Sequence, residues 1–289
     1  MLYEYSLLGR ETPMAKPLEV VTAETDISVW AALRNQAEHA AKDEPALASL
    51  LNAVILSHDN LADALTFQLA RKLGDQEMRA MTAREFAADA FESDPSLVLA
   101  AEADLKAVFE RDPACKGYVQ PFLFFKGFLA LQTHRVSHWL WNEGRETLAF
   151  YLQSRASEIF QVDINPAAKI GKGVFIDHGT GIVIGETAVV GDDVSMLHGV
   201  TLGGTGAERG DRHPKIGNGV LLGAGAKVLG NITIGDYAKI ASGSVVLRPV
   251  PAHCTAAGVP ARLVNCPTCE EPARTMDHTL AETVYSYEI

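Results

Sequence analysis

Between residues 164 and 246 a small aliphatic side chain returns at every sixth position. Ile164, Ile170, Ile176, Ile182, Ala188, Val194 and Val200 lie six apart, and after one interruption Ile216, Leu222, Val228, Ile234, Ile240 and Val246 resume the spacing. A period of six matches neither a helix nor the alternation of an ordinary strand, whereas a fixed short repeat marks a solenoid. Three six-residue flats close a triangular coil of 18 residues, each flat pointing one aliphatic side chain inward. Glycine directly follows the repeated residue at 170, 216, 222 and 234, where it permits sharp corners. Stacked coils pair their backbones as parallel strands about 4.8 Å apart. The thirteen repeats make between four and five coils.

The interruption is TLGGTGAERGDRHPKIGNG, residues 201–219. It is too long for one flat and must leave the prism as a loop. Gly203, Gly204, Gly206 and Gly210 let the chain turn out and back, and Pro214 returns it to the repeat. Solenoids tolerate inert surface insertions, but the run Asp211-Arg212-His213 is a poor filler and a good set of polar ligands.

Upstream of the repeat the pattern is helical. Asp59 can cap a run with Leu61, Leu65, Leu69 and Leu73 on one face, closed by Gly74. Thr82 and Glu85 have the spacing of a capping box, and Asp94-Pro95 opens a further helix ending near residues 110–113. Two longer apolar helices are expected over 119–142 and 145–160. The fold class is therefore α+β in two domains, an all-α helical bundle followed by a parallel β-solenoid with one extruded loop. The expected division is an extension over 1–19, a helical domain over 20–162, the solenoid over 163–262 and an acidic tail over 263–289.

Composition narrows the partners. The chain has 289 residues, is 47% hydrophobic and carries a formal net charge of −11, which disfavours nucleic acid or an anionic membrane as partner. The acidity is uneven: residues 1–160 hold fifteen basic and twenty-three acidic side chains, residues 161–262 nine and eight. The solenoid is thus the part least hostile to an anionic ligand. The apolar stretch PFLFFKGFLALQTHRVSHWLW contains Lys126, His134, Arg135 and His138, too many polar groups for a membrane span, and reads as a buried helix. The N-terminus lacks a basic start followed by an apolar run, so a soluble, cytoplasmic protein is expected. Of Cys115, Cys254, Cys266 and Cys269, the last two have metal or redox spacing but no second pair follows them, so free thiols are expected.

RDPACKGYVQPFLFFKGFLALQTHRVSHWLWNEGR from Arg111, DINPAAKIGKGVFIDHGTGIVIGETAVVGDDV from Asp163, the loop GVTLGGTG…GDRHPKIG and GAGAKVLGNITIGDYAKI…GSVVLRPVP with AAGVPAR together resemble the serine acetyltransferase family. The repeat alone implies only the wider hexapeptide acyltransferases; the helical half, DHGTG and GDRHPK narrow it. The resemblance implies a left-handed parallel β-helix, an exception to the right-handed crossover rule. It implies trimers pairing into a hexamer through the helical domains, with each active site between neighbouring prisms. The reaction implied is acetyl transfer from acetyl-CoA to the hydroxyl of L-serine, a step of cysteine biosynthesis, with acetyl-CoA as co-substrate and no permanently bound cofactor.

A serine hydroxyl needs a general base to attack a thioester. The resemblance assigns that role to His178 and makes Asp163 the carboxylate that orients it. No cysteine or serine stands in a nucleophile's arrangement, so direct transfer is expected. Arg212 and His213 match residues that meet the substrate carboxylate, where a guanidinium fork suits well. Asp112 and Asp177 match those on the amine and hydroxyl side. Gly204 and Ala224 match backbone contacts to the thioester and pantetheine arm, and Lys239 and Ser242 point toward the nucleotide end. The chain departs from the family pattern at Asn165 and Ala207, where histidine and lysine are frequent. For the tail VYSYEI the resemblance implies docking of Ile289 into O-acetylserine sulfhydrylase, a C-terminal carboxylate recognition mode. Feedback inhibition by L-cysteine is implied too. The alternatives are an acetyltransferase for another hydroxyl acceptor, a metalloenzyme resembling γ-class carbonic anhydrase with His178, His198 and His213 as ligands, and a non-catalytic scaffold using the tail.

Overall fold

The computed structural model describes residues 28–206, 209–266 and 270–280. Ala207, Cys269, Ile289 and the expected N-terminal extension lie outside them. The first half is helical: α1 (Val29–Asp43), α2 (Ala48–Leu51), α3 (Leu61–Leu73), α4 (Ala80–Ser93), α5 (Ser96–Arg111), α6 (Val119–Phe124), α7 (Lys126–Asn142) and α8 (Glu146–Phe160). Leu61, Leu65, Leu69 and Leu73 bury one face of α3 as expected. Its cap is Asn60 rather than Asp59, the Asn60 side chain accepting from Asp63 N at 2.9 Å. The expected capping box fails, because α4 begins at Ala80 and leaves Thr82 inside the helix. Asp94 does cap the next turn, accepting from Ser96 N at 3.0 Å and Ser96 Oγ at 2.6 Å. The single helix expected over 119–142 is broken at Phe125, whose φ and ψ are −80° and 111°.

The second half is a solenoid of three parallel sheets. The first sheet stacks β1 (Val162–Ile164), β4 (Ile182–Ile184), β7 (Thr201–Gly203), β10 (Lys227–Leu229) and β13 (Val245–Val246). The second stacks β2 (Lys169–Ile170), β5 (Val189–Val190), β8 (Lys215–Ile216) and β11 (Thr233–Ile234). The third stacks β3 (Phe175–Ile176), β6 (Ser195–Met196), β9 (Leu221–Leu222), β12 (Lys239–Ile240) and β14 (Thr255–Gly258), with β15 (Ala261–Asn265) antiparallel at its end.

The strand register corrects the sequence reading in one respect. Val183 pairs with Thr201, Lys215 with Thr233 and Lys227 with Val245, all 18 residues apart. Ile164 pairs with Ile184 and Ile176 with Met196, 20 apart. The first coil thus holds two extra residues. The paired aliphatics after Ile176 are Ile184, Val190, Met196 and Leu202; Ile182, Ala188, Val194 and Val200 sit two positions earlier and are equally buried. Strand alternation sends residues two apart to the same face, so the six-residue count runs unbroken across a real insertion. The extra pair falls between Ile176 and Ile184, at the DHGTG turn. The second insertion is the expected loop: Ser195 pairs with Leu221, 26 residues on.

One apolar core runs from the helices into the coils. A polar knot crosses the same seam, with Asp104 of α5 accepting from Arg135 and Gln132 of α7 and from Val174 N of the first coil. The expectation of free thiols fails at one pair: Cys254 and Cys266 form a disulfide. Antiparallel pairing of β14 with β15 brings their Cα atoms to 4.5 Å, within disulfide reach. Cys115 is free and buried. Among the described residues no helix is long and apolar enough to cross a membrane.

Candidate active site

Two edges of the prism hold most of the expected site residues. The edge between the third and first sheets is built from Thr180-Gly181, His198-Gly199, Ala224-Gly225 and Ser242-Gly243 in successive coils. Gly199 N donates to Thr180 O at 2.8 Å, Gly225 N to His198 O at 2.9 Å and Gly243 N to Ala224 O at 2.8 Å. The four glycines have φ between 69° and 76°, a left-handed conformation in which a side chain would strain the turn. Ala224 and Ser242 therefore line one edge with the expected base.

His178 stands where the two extra residues push the backbone out of that edge. Its φ is 57°, a left-handed conformation that costs a non-glycine residue energy and needs support from its surroundings. The side chain is 75% exposed, with Nε2 3.7 Å from Asp177 Oδ1. The His198 ring packs edge-on to it, centroids 6.1 Å apart. Asp177 is held above the usual carboxylate range chiefly by burial; His178 and His198 pull it down, and the Asp112 carboxylate pushes it up. Asp112 ends α5, where its side chain accepts from Ala114 N at 2.8 Å. Asp177, beside the imidazole, thus feels a second carboxylate charge from Asp112, an arrangement suited to a cationic group.

Asp163 lies on β1, where its Oδ1 accepts from Gln153 Nε2 of α8 at 2.6 Å. The neighbouring Val162 packs under the His178 turn: a Cβ on Gly179 would lie 3.0 Å from Val162 Cγ2.

Arg212 and His213 belong to the other edge, between the first and second sheets. His213 is buried against the turn after β4, its Nδ1 2.9 Å from Thr187 Oγ1 and 3.1 Å from Thr187 N. Thr187 Oγ1 also accepts from Arg212 N at 3.0 Å and His213 N at 3.1 Å. Arg212 Nη2 meets Glu186 at 2.7 Å. Burial, then the Arg212 charge, lowers the His213 pKa, so its ring favours the neutral form. Gly204 starts the loop beside Arg212; a Cβ there would lie 3.6 Å from Arg212 Cγ. A six-residue flat spans about 20 Å at about 3.3 Å per residue. One chain therefore does not bring Arg212 and His213 to His178.

Lys239, expected toward the nucleotide end, already has partners within the chain. It is buried on β12, Nζ donating to Thr279 O at 2.6 Å and lying 3.8 Å from Asp277. The tail segment that holds it includes the short helix α9 (Pro272–Thr275), anchored where Ser195 Oγ donates to Ala273 O at 2.8 Å. No group of three or more metal-ligating side chains occurs among the described residues.

Residues 29–133 match the family described as "Serine acetyltransferase, N-terminal", and residues 213–248 match "Bacterial transferase hexapeptide (six repeats)". A serine acetyltransferase of Salmonella typhimurium is 53% identical over 260 residues, spanning 90% of this chain and 95% of its own. The chain belongs to the serine acetyltransferase family. Among solved structures, a serine acetyltransferase in complex with cysteine superposes with a TM-score of 0.86 at 52% identity, covering 88% of this chain and 98% of that one. A serine acetyltransferase from Brucella abortus in complex with coenzyme A gives 0.82 at 51% identity, covering 83% and 96%. The solenoid is accordingly the left-handed β-helix of the hexapeptide acyltransferases. Serine acetyltransferases are acetyl-CoA-dependent acyltransferases, which removes the metalloenzyme and scaffold readings.

Sequence reasoning missed the insertion at the His178 turn, the Gln153 contact to Asp163, and the clamp of Glu186 and Thr187 on the loop. A left-handed non-glycine turn leaves no unique sequence signal, and contacts between distant elements leave none at all.

Proposed function

We propose that the enzyme acetylates the hydroxyl of L-serine with acetyl-CoA, with His178 as general base. His178 takes the hydroxyl proton as the serine oxygen bonds to the thioester carbonyl carbon. Collapse of the tetrahedral intermediate breaks the carbon–sulfur bond, and the imidazolium returns the proton to the departing thiolate, giving O-acetyl-L-serine and CoA. The observation that carries this reading is the exposed imidazole on a left-handed turn outside the coil, 3.7 Å from an Asp177 carboxylate that also feels the Asp112 charge.

Asp177 and Asp112 receive the substrate ammonium, and Arg212 with His213 its carboxylate. Asp163, one residue from the Val162 that underlies the turn, orients the His178 imidazolium. Because the two edges are a full flat apart, the site forms between two chains, the loop of one reaching the His178 edge of the next. Trimers satisfy this, and pairing through the helical regions gives the hexamer. Acetyl-CoA runs along the Ala224 and Ser242 edge with Gly204 at the thioester; Lys239 serves the nucleotide end once residues 277–279 leave it. L-cysteine competes at the serine site, Ile289 docks into O-acetylserine sulfhydrylase, and the enzyme works in the cytoplasm without a permanently bound cofactor.

The test is CoA release from acetyl-CoA with L-serine, beside His178→Ala and a control without acceptor. Serine-dependent release lost in the variant supports the reading. Release that ignores serine, or survives in His178→Ala, overturns it.

A further inference from the structure

Helix α7 begins badly by every local rule. It has 17 residues, yet no side chain caps its N-terminus and no acidic residue lies in its first turn. Its first two positions are Lys126 and Gly127. A cation there opposes the helix dipole, and glycine is a poor helix former. Local rules broken together mark places where another requirement dominates.

Both residues are explained by the turn that carries His178. A Cβ on Gly127 would lie 2.1 Å from Ile176 O and 2.9 Å from Ile176 Cγ2, so only glycine lets α7 lie on the end of β3. Gly127 Cα in turn lies 3.5 Å from the Cβ position of Gly179. The Lys126 ammonium donates to Thr180 Oγ1, across 54 residues of sequence. Thr180 is exposed and its N–H donates to His178 O at 2.9 Å, while its own carbonyl accepts from Gly199 N at 2.8 Å. It is therefore the rung from which the extra residues rise. The His178 side chain is largely in water, so the conformation of its backbone turn decides where the ring can reach.

We propose that Lys126 is a positioning residue: its ammonium, through the Thr180 hydroxyl, holds the inserted turn in the left-handed form that aims His178 at the substrate hydroxyl. This rests on His178 being the base. It gives the helical half a part in catalysis, because the residue that tethers the turn comes from the break between α6 and α7. Lys126 touches neither substrate in this scheme. Its removal therefore lowers kcat and leaves both KM values nearly intact.

The experiment is steady-state kinetics on Lys126→Met, Thr180→Val, the double variant, and the conservative Lys126→Arg and Thr180→Ser, with the wild type and His178→Ala alongside. Small misplacements of a catalytic group cost on the order of ten- to a hundredfold. Lys126→Met and Thr180→Val are each expected to lower kcat by about that factor, with KM for serine and acetyl-CoA within about twofold. The double variant should be no worse than the poorer single one, because both break one contact. The conservative variants should recover most of the rate. Thr180→Val is isosteric at an exposed site, and thermal melting checks its fold. A kcat within twofold of wild type in either single variant, or multiplicative losses in the double, overturns the proposal. If the wild type shows no serine-dependent release, or His178→Ala keeps it, the underlying reading has failed instead.

Discussion

Arg135 grips Asp104 through two nitrogens, Nε at 3.0 Å and Nη2 at 2.7 Å from the same carboxylate oxygen, with both side chains out of water. Arg135 also donates from Nη2 to Gly171 O at 2.8 Å, and the other Asp104 oxygen accepts from Val174 N at 2.9 Å. The pair thus ties α5 and α7 to the first coil, the coil that carries His178. Removing one partner leaves the other charge buried and unpaired, which costs about 3–5 kcal/mol. Asp104→Ala should therefore lower the free energy of unfolding in urea by that amount. Arg135→Met in the same background should recover part of the loss, since the orphaned charge is then gone. An Asp104→Ala enzyme as stable as wild type would mean that the apolar core alone holds the seam.

Gly185 is the floor under His213. A Cβ at this position would lie 2.0 Å from His213 Nε2. Gly185→Ala must push the ring away from Thr187, and with it the end of the loop proposed to meet the substrate carboxylate. We expect the KM for L-serine to rise about tenfold or more, with acetyl-CoA affected much less, because a lost contact to a charged group is worth about 1.5–3 kcal/mol. Thr187→Val should act in the same direction by removing the hydroxyl that holds both Arg212 N and His213 N. Equal changes in both KM values would place the defect in the fold rather than in the serine site.

The solenoid was legible in the sequence because each coil repeats one simple requirement, an inward aliphatic on every flat. The two extra residues at the His178 turn escaped the same reading for a physical reason. Two residues preserve strand alternation, so Ile182, Ala188, Val194 and Val200 remain inward although the pairing has moved to Ile184, Val190, Met196 and Leu202. His178, Asp177, Arg212 and His213 could be named from the motifs around them. What holds them could not, since Lys126 meets Thr180, and Ser195 meets Ala273, across 54 and 78 residues. The failed capping box at Thr82 shows the converse: a correct local pattern is overridden, and the helix starts three residues earlier than a Thr82 cap would allow.

Burial raises the pKa of Asp177, and the Asp112 carboxylate adds to that effect. A carboxyl whose folded-state pKa lies above the unfolded value gives stability that is present at low pH and is lost as pH rises through the folded pKa. At neutral pH the ionised Asp177 is therefore a cost to the fold, one that the proposed ammonium partner would offset. Asp177→Asn should melt at a higher temperature than wild type at pH 7 and lose that advantage in acid, where Asp177 is protonated. It should also bind L-serine poorly. In the wild type, serine affinity should fall with pH at a higher value than the ordinary aspartate range, about 3.9. Asp112→Asn should move that fall to lower pH, because one of the two groups raising Asp177 is gone. Calorimetric titration of serine across pH, with melting curves of Asp177→Asn, checks both signs; an Asp177→Asn enzyme less stable at pH 7 would contradict the argument.

The Cys254–Cys266 bond closes the end of the solenoid, its ends 12 positions apart in sequence. It joins the last coil to the far strand of the β14–β15 hairpin, just ahead of the segment whose Thr279 carbonyl accepts from Lys239. A cross-link of this loop length removes unfolded-state entropy worth about 2–3 kcal/mol. Cys266→Ser, or reduction with dithiothreitol, should cost roughly that amount in urea unfolding. A cytoplasmic enzyme would meet glutathione and thioredoxin, which favour the thiols. The form purified under strictly reducing conditions should then be the less stable one, with more accessible thiols by titration and with its His178 turn untouched. Turnover with L-serine should accordingly change by less than about twofold, since a loss confined to the distal end leaves the interactions made in the transition state in place. A large loss of kcat on reduction would instead tie the last coil to the chemistry, and unchanged stability would mean that β14 and β15 hold each other without the bond.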